Sequence, residues 1–282
     1  YESGPDGQGR RFLGHDTSDA LPGNVTVTIP QAVLGSLTWG DRIVTLAVDD
    51  LGNTSEFSDA ITLLPPNTIF VNDAGDDPDS FLGDGYCDAG VEAGICTLRA
   101  AIEQANADEI PTTILFDLDA MGTSTIQPAT ELPTITADIT IDGILGIDGD
   151  HGTCGTWPPQ PGVQIVFPSG TIAGLATDYT VGRLTLRGLA LGGSPQELLF
   201  LGSSGNVVEC NFLGTDLTGA TQVGSPTFDV FVNGWANPTD TTIRGNLIVG
   251  GNAEHIRLGG ADGNTVVGNR IGTDLTGTTA FG

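Results

Sequence analysis

One signature recurs along the chain and limits its fold more than any other feature. It is a short run of alternating apolar residues that ends at Gly or Cys and is often followed by Asn. Aligning "ITIDGIL", "LTLRGLAL", "NVVECNFLG", "TTIRGNLI" and "NTVVGNRIG" superposes Gly143, Gly188, Cys210, Gly245 and Gly268, at intervals of 45, 22, 35 and 23 residues. An interval of 22 to 23 residues is about one turn of a three-sided β-solenoid. A unit that thin cannot bury its own apolar face and must stack on its neighbours. On this reading the step of 45 spans two turns, and the step of 35 is one turn with a loop insertion. A second series, "LLFLGSSGN", "VFVNGWAN" and "HIRLGGADGN", superposes Gly202, Gly234 and Gly259. The expected fold is all-β, with residues 111–282 wound as a right-handed parallel β-helix. Val208, Ile243 and Val266 then stack inside, and Asn211, Asn246 and Asn269 stack at one corner as an amide ladder.

The stretch "GTDLTG" occurs twice, at Gly214–Gly219 and Gly272–Gly277. Some parallel β-helices are polysaccharide lyases or hydrolases, and a hydrolase needs two carboxylates ~5–10 Å apart. Asp216 and Asp274 suit that superficially, but both occupy the same corner of the repeat. Asp and Thr side chains at a corner satisfy turn amides, so both Asp residues read as structural members of the ladder, and no catalytic residue is assigned. His15, His151 and His255 fall in separate segments without a Ser or Cys partner in a recognisable elbow.

Ahead of the repeats, residues 1–64 alternate in the manner of a small, incomplete immunoglobulin-like β-sandwich, as in "NVTVTIP" and "DRIVTLAVDD". Residues 65–68 form a stiff Pro linker. Residues 69–110 carry one convincing helix, 97–107, in which Leu98, Ala101, Ile102 and Ala105 share a face and Thr97 caps the start. Cys87 and Cys96 bracket a Gly-rich loop and are expected to form a disulfide, with zinc the weaker reading. Nothing local decides whether Cys154 and Cys210 pair. The loop "NDAGDDPDS" offers Asp73, Asp76, Asp77 and Asp79 as oxygen donors for calcium, the alternative being a solvated acidic loop.

The chain has 35 acidic and 9 basic residues, a formal charge of −26, and every basic residue is Arg. Such a surface repels nucleic acid and anionic lipid, so neither a nucleic-acid partner nor membrane insertion is expected.

The segment "CTLRAAIEQANA", with Cys96, Thr97, Leu98, Arg99, Ala100 and Ala101 at its core, resembles the CSLREA domain of bacterial and archaeal surface proteins. The preceding "TIFVNDAGDD" and "GDGYC" are similar to the same family, although Ala100 stands where the family has an acidic residue. "GQGRRFLG" and "AVDDLGNTSEFS" resemble the immunoglobulin-like repeat of large cell-surface proteins. The resemblance implies that the helix plugs the first coil of the β-helix and that the protein is extracellular. The expected function is a structural or adhesive repeat unit of a surface filament. Its ends join copies of itself or adjacent repeats of a longer chain, and glycans are a candidate partner. The alternative is a carbohydrate-active enzyme, a lyase or glycoside hydrolase.

Overall fold

The computed structural model describes residues 2–3, 9–11, 42–44, 61–62, 65, 67–90, 94–146, 151–193, 195–233, 235 and 237–281. The chain divides into two compact units, Tyr1–Pro65 with Ile147–Gly149, and Pro66–Gly146 with Asp150–Gly282. In the first, β1 (Glu2–Ser3), β2 (Gly9–Arg11), β3 (Arg42–Ile43) and β4 (Ile61–Thr62) pair antiparallel in the order β2-β1-β3-β4. The immunoglobulin-like reading of residues 1–64 falls largely outside the described residues.

The second unit is mostly β, and its strands form three parallel sheets. The seven-stranded sheet holds β5 (Thr68–Val71), β6 (Thr112–Phe116), β8 (Asp138–Gly146), β11 (Arg183–Arg187), β14 (Val207–Glu209), β17 (Thr242–Arg244) and β20 (Thr265–Val267). The six-stranded sheet holds β7 (Thr125–Ile126), β9 (Val163–Phe167), β12 (Leu189–Gly193), β15 (Phe212–Leu213), β18 (Leu247–Ile248) and β21 (Arg270–Ile271). The four-stranded sheet holds β10 (Ala173–Ala176), β13 (Glu197–Leu201), β16 (Phe228–Asn233) and β19 (Glu254–Gly259). From β8 onward the chain visits the three sheets in that order and then returns to the first, so each passage adds one rung: one strand to each sheet.

The strand register corrects two features of the sequence alignment. Asp142 of β8 pairs directly with Arg187 of β11, so the 45-residue interval is one passage with an insertion rather than two turns. Sequence spacing alone cannot distinguish an extra turn from a long loop. In the four-stranded sheet Asn233, not Gly234, stands opposite Gly259.

Parity along the strands builds the core. Ile141, Leu186, Val208 and Ile243 are successive register partners in the seven-stranded sheet and are fully buried. Val266 continues their line but is 42 % exposed, because β20 is an edge strand with no neighbour beyond it. Helix α1 (Leu98–Asp108) contributes Leu98, Ala101, Ile102 and Ala105 to the same core as Val71, Ile114 and Phe116. Its start is fixed by Thr97, whose hydroxyl accepts from the Ala100 amide (3.1 Å) and donates to the Asp77 carbonyl (2.7 Å). A short helix, α2 (Leu118–Met121), follows β6.

Asn side chains cross-link the rungs at a corner. The Asn246 carbonyl oxygen accepts from the Asn211 backbone (2.9 Å) and side-chain (3.1 Å) N–H groups. Its Nδ2 donates to the Val208 carbonyl (2.8 Å) and to Asn269 (2.9 Å). A second corner, absent from the sequence reading, uses Asn206 toward the Leu184 amide (2.9 Å) and Asn264 toward the Thr241 amide (2.9 Å). Asn206/Asn211 and Asn264/Asn269 therefore bracket β14 and β20 at both ends.

Opposite charges alternate from rung to rung on the seven-stranded sheet. Asp142, Arg187, Glu209 and Arg244 are successive register partners, and Asp142–Arg187 (3.4 Å) and Glu209–Arg244 (2.5 Å) form ion pairs. Partly exposed pairs of this kind add little stability individually. A register slip would separate these partners, so the scarce Arg residues favour the observed register.

In the two "GTDLTG" copies Asp216 and Asp274 satisfy turn amides as their sequence suggests, but each within its own loop rather than in a ladder between rungs. Each carboxylate is satisfied inside its own loop. Asp216 accepts from the Thr218 hydroxyl (2.7 Å) and amide (3.2 Å), and Asp274 from those of Thr276 (2.7 and 3.1 Å). The rung between them, at β18, carries no such loop. What the loops do is cover an outer face. Ala190, Phe212 and Leu247 follow one another across the six-stranded sheet and form a second apolar cluster with Val249, against which Leu217, Leu275 and Trp157 pack. The Trp157 indole N–H donates to the Leu275 carbonyl (2.8 Å), and the Arg270 guanidinium lies 4.7 Å from the centre of its ring.

Both Asp residues titrate below the ordinary carboxylate range. For Asp216 burial opposes the shift, but the Thr218 and Thr221 hydrogen bonds outweigh it. For Asp274 the Thr276 hydroxyl is the main cause. A carboxyl lowered on folding contributes stability above its unfolded pKa and loses it as pH falls through the folded value. Acidification below about pH 4 is therefore expected to release both loops. The protection of the Thr218 and Thr276 amides relative to their intrinsic exchange rate should fall there while Val208 and Ile243 stay protected. An equal fall at all four amides would contradict the assignment.

Candidate functional site

The residues singled out for calcium are not gathered by the structure. Asp73 accepts from the Gly75 amide (2.7 Å), and Asp79 from the Phe81 amide (2.8 Å). Asp76 faces Arg99, whose Nε and Nη2 donate to its two oxygens at 3.0 Å each. Asp77 meets the helix cap through its backbone carbonyl. Burial pushes the Asp79 carboxyl up, against the pull of the Phe81 amide. Among the described residues, no three His, Cys, Asp or Glu side chains come together as a metal-holding group. Cys87–Cys96 is a disulfide, and so is Cys154–Cys210.

Two carboxyls outside that loop, Glu197 and Asp229, are raised by burial. Glu197 is raised by burial first and by the charge of Glu131 second, the pattern expected of a general acid. It is only 4 % exposed, and a general acid must come within hydrogen-bond reach of the proton it transfers. His255 Nδ1 lies 2.8 Å from Asp229, itself fully buried and raised by burial despite that contact and the Gly251 amide. The pair joins β16 to β19, since Asp229 and His255 face each other across adjacent strands. His15 lies outside the described residues.

The feature that stands out is an aromatic face on the four-stranded sheet. Phe200, Phe231 and Arg257 are register partners on β13, β16 and β19. Their side chains point away from Leu199, Val230 and Ile256, which take the opposite parity. Phe200 and Phe231 meet edge to face at 5.8 Å, Phe228 joins at 5.6 Å, and Arg257 lies 5.3 Å from both the Phe228 and Phe231 rings. Tyr179 sits edge-on to Phe200 at 5.5 Å and nearly parallel to Trp235, with centroids 6.1 Å apart and planes inclined by 12°. Trp235 is 84 % exposed and Tyr179 39 %. An aromatic pair left this open is unusual, because large rings normally bury most of their area.

Two open clefts lie near Tyr179, and Trp235 lines neither. One, of about 470 Å³, is lined by Asp138, Tyr179, Thr180, Arg183, Ser203 and Ser204. The other, of about 440 Å³, passes Asn106, Glu109, Thr136 and Val181, and both share Asp138 and Gly182. They adjoin at these two residues, one beside the C-terminal end of α1 and the other beside Tyr179. Arg183 and Asp138 form an ion pair at 3.0 Å in the cleft beside Tyr179, and both side chains remain about half exposed.

Trp39, Trp157 and Trp235 lie far apart in the sequence. Trp39 lies outside the described residues, and Trp157 is held by Leu275. Trp235 does join an aligned face, but with Tyr179 and two Phe residues rather than with other Trp. Only the alternation in "ELLFL" and "FDVFVN", which points one Phe outward in each, carried a signal. No family model, curated protein or solved structure matches the chain.

Proposed function

We propose that this chain is a structural and adhesive repeat unit of an extracellular fibre. In this reading residues 111–282 wind as a right-handed parallel β-helix, α1 plugs its first coil as in CSLREA-type surface proteins, and residues 1–64 supply an immunoglobulin-like spacer. The observation that carries it is the shared edge of the three parallel sheets. On β19, β20 and β21 the apolar side chains of Leu258, Val266 and Ile271 are 44 %, 42 % and 41 % exposed. Edges of this kind are templates for a further strand, and a solenoid normally covers them. A rung from an adjacent repeat or from another copy would bury all three side chains and extend the amide ladder beyond Asn269. Such head-to-tail contacts do not close and so generate filaments. The two disulfides suit an oxidising compartment.

Electron microscopy of the native material tests this. Rods with a layer spacing of ~4.8 Å along their length are expected. Uniform single particles at high protein concentration and in salt sufficient to screen the charge would overturn the proposal.

A further inference from the structure

We propose that the chain cleaves its own Asp77–Pro78 peptide bond, the Asp77 carboxyl attacking the carbonyl carbon of its own residue. The inference depends neither on filament assembly nor on a bound partner.

Asp77–Pro78 is the one Asp–Pro bond in the sequence. An aspartyl carboxyl reaches its own carbonyl carbon through a five-membered ring, so nucleophile and target are already joined. Proline is a favourable leaving residue, because its nitrogen is more basic than that of other residues and takes a proton more readily.

The fold adds to this intrinsic chemistry. The Thr97 hydroxyl donates to the Asp77 carbonyl oxygen at 2.7 Å. Thr97 is buried, and its oxygen also accepts from the Ala100 amide at 3.1 Å, which leaves its proton directed at the carbonyl. Attack at the carbon places negative charge on that oxygen, where a donor already in position is most effective. Helix α1 holds the chain on both sides of the bond. Arg99 donates to the two Asp76 oxygens at 3.0 Å each, and the Asp79 amide donates to Glu103 at 2.8 Å. The Asp76 carboxylate is thus taken up by Arg99, and that of Asp79 by the Phe81 amide. The Asp77 carboxylate accepts no hydrogen bond from a described residue. Asp77 and Pro78 are both exposed, so water reaches the bond.

In the first step one oxygen of the protonated Asp77 carboxyl bonds to the carbonyl carbon. The C–N bond to Pro78 then breaks, and its electron pair stays on nitrogen, which takes the carboxyl proton. Residue 77 is left as a five-membered cyclic anhydride. One water molecule opens it, giving a C-terminal Asp77 with two carboxyls and a new amino terminus at Pro78. The net change is hydrolysis of one peptide bond. Because the attacking carboxyl must carry the transferred proton, the rate rises as pH falls.

Both disulfides lie after the cut, so neither joins the two fragments. While the protein stays folded, the β5–β6 pairing and the Asp76–Arg99 ion pair keep them together.

The test is incubation of the full chain at intervals between about pH 4 and about pH 7, folded and in urea, followed by denaturing mass spectrometry. Circular dichroism establishes which samples are folded. Fragments 1–77 and 78–282 are expected, appearing at a first-order rate independent of protein concentration. The folded chain should cleave about tenfold faster than the unfolded chain at the same pH, since one preorganised donor contributes at least that factor. Asp77→Ala, at an exposed position, should abolish the cut. Thr97→Val should slow it about tenfold, and Thr97→Ser should restore it. A chain that stays intact at every pH overturns the proposal, as does an unfolded chain that cleaves as fast as the folded one. Cleavage of Asp77→Ala, or of folded Thr97→Val, at the parent rate also overturns it. Should Thr97→Val lose its fold, the Asp77→Ala and folded-against-unfolded comparisons decide.

Discussion

Replacing Asn246 with alanine is expected to lower the unfolding free energy of the parallel-sheet unit by about 3–5 kcal/mol, among the largest single effects available in the chain. Asn246 is fully buried and its side chain makes four hydrogen bonds, three to the rung of Val208 and Asn211 and one to Asn269 in the next. Alanine would leave the Asn211 amide and the Val208 carbonyl without partners, and each buried orphan costs roughly 1–3 kcal/mol. Asn269 occupies the equivalent position one rung later, where its surroundings are only partly buried, so water can replace what its side chain supplies. Asn269→Ala is therefore expected to cost about 1 kcal/mol. The comparison is best made by amide exchange at Val208 and Ile243, because a chain of two units need not unfold in one transition. Equal losses for the two variants would show that burial along the stack does not set the strength of the ladder.

The second large effect concerns Cys154–Cys210, whose sequence separation is 56 residues. Closing a loop of that length contributes up to about 4 kcal/mol through the unfolded state. Removing it with Cys154→Ser and Cys210→Ser should lower stability by about 2–4 kcal/mol. A finer expectation comes from the backbone. Gly188, Gly245 and Gly268 have φ of 66°, 64° and 66°, and Cys210 at the same corner has φ of 58°. A side chain in the left-handed region costs about 1 kcal/mol or more relative to glycine. The Cys154→Ser, Cys210→Gly variant should therefore be about 1 kcal/mol more stable than the Cys210→Ser variant, although neither has the cross-link. Thermal unfolding followed by circular dichroism decides it. Equal midpoints would mean that the corner tolerates a side chain freely.

The same corner shows what could be read from the chain before its structure. The strand periodicity and the Gly/Cys alignment were legible because one left-handed corner recurs and selects residue type locally. Thr97 and the apolar stripe after it likewise announced a helix, since capping and spacing are both local signals. The 45-residue interval was misread because sequence spacing does not separate an insertion from an extra rung. The acidic loop looked like a ligand set because proximity in sequence says nothing of where each carboxylate turns. Asp76 turns to Arg99 and Asp79 to its own chain. The aromatic face was the least legible feature. Tyr179, Phe200 and Phe231 belong to three different passages, Trp235 following Phe231 in the last, and only the register of β13 against β16 aligns the two Phe residues. Trp157 shows the same limit, finding its partner in Leu275, 118 residues away.

The loops over the six-stranded sheet carry a consequence for how such a chain can grow. They spring from β15 and β21 but not from β18, and Gly219 of the first leaves just enough room for Leu275 of the second. The two loops thus lie against each other across a bare rung, and the loop pattern repeats over two rungs, about 9.6 Å of stack at ~4.8 Å per layer. A gene that lengthened or shortened by one rung would keep every strand paired yet strand one loop without its neighbour and expose Phe212 or Leu247. Recombination that shifts by the interval from Gly214 to Gly272 would leave no such scar. Length variants of this protein are accordingly expected to differ by even numbers of rungs.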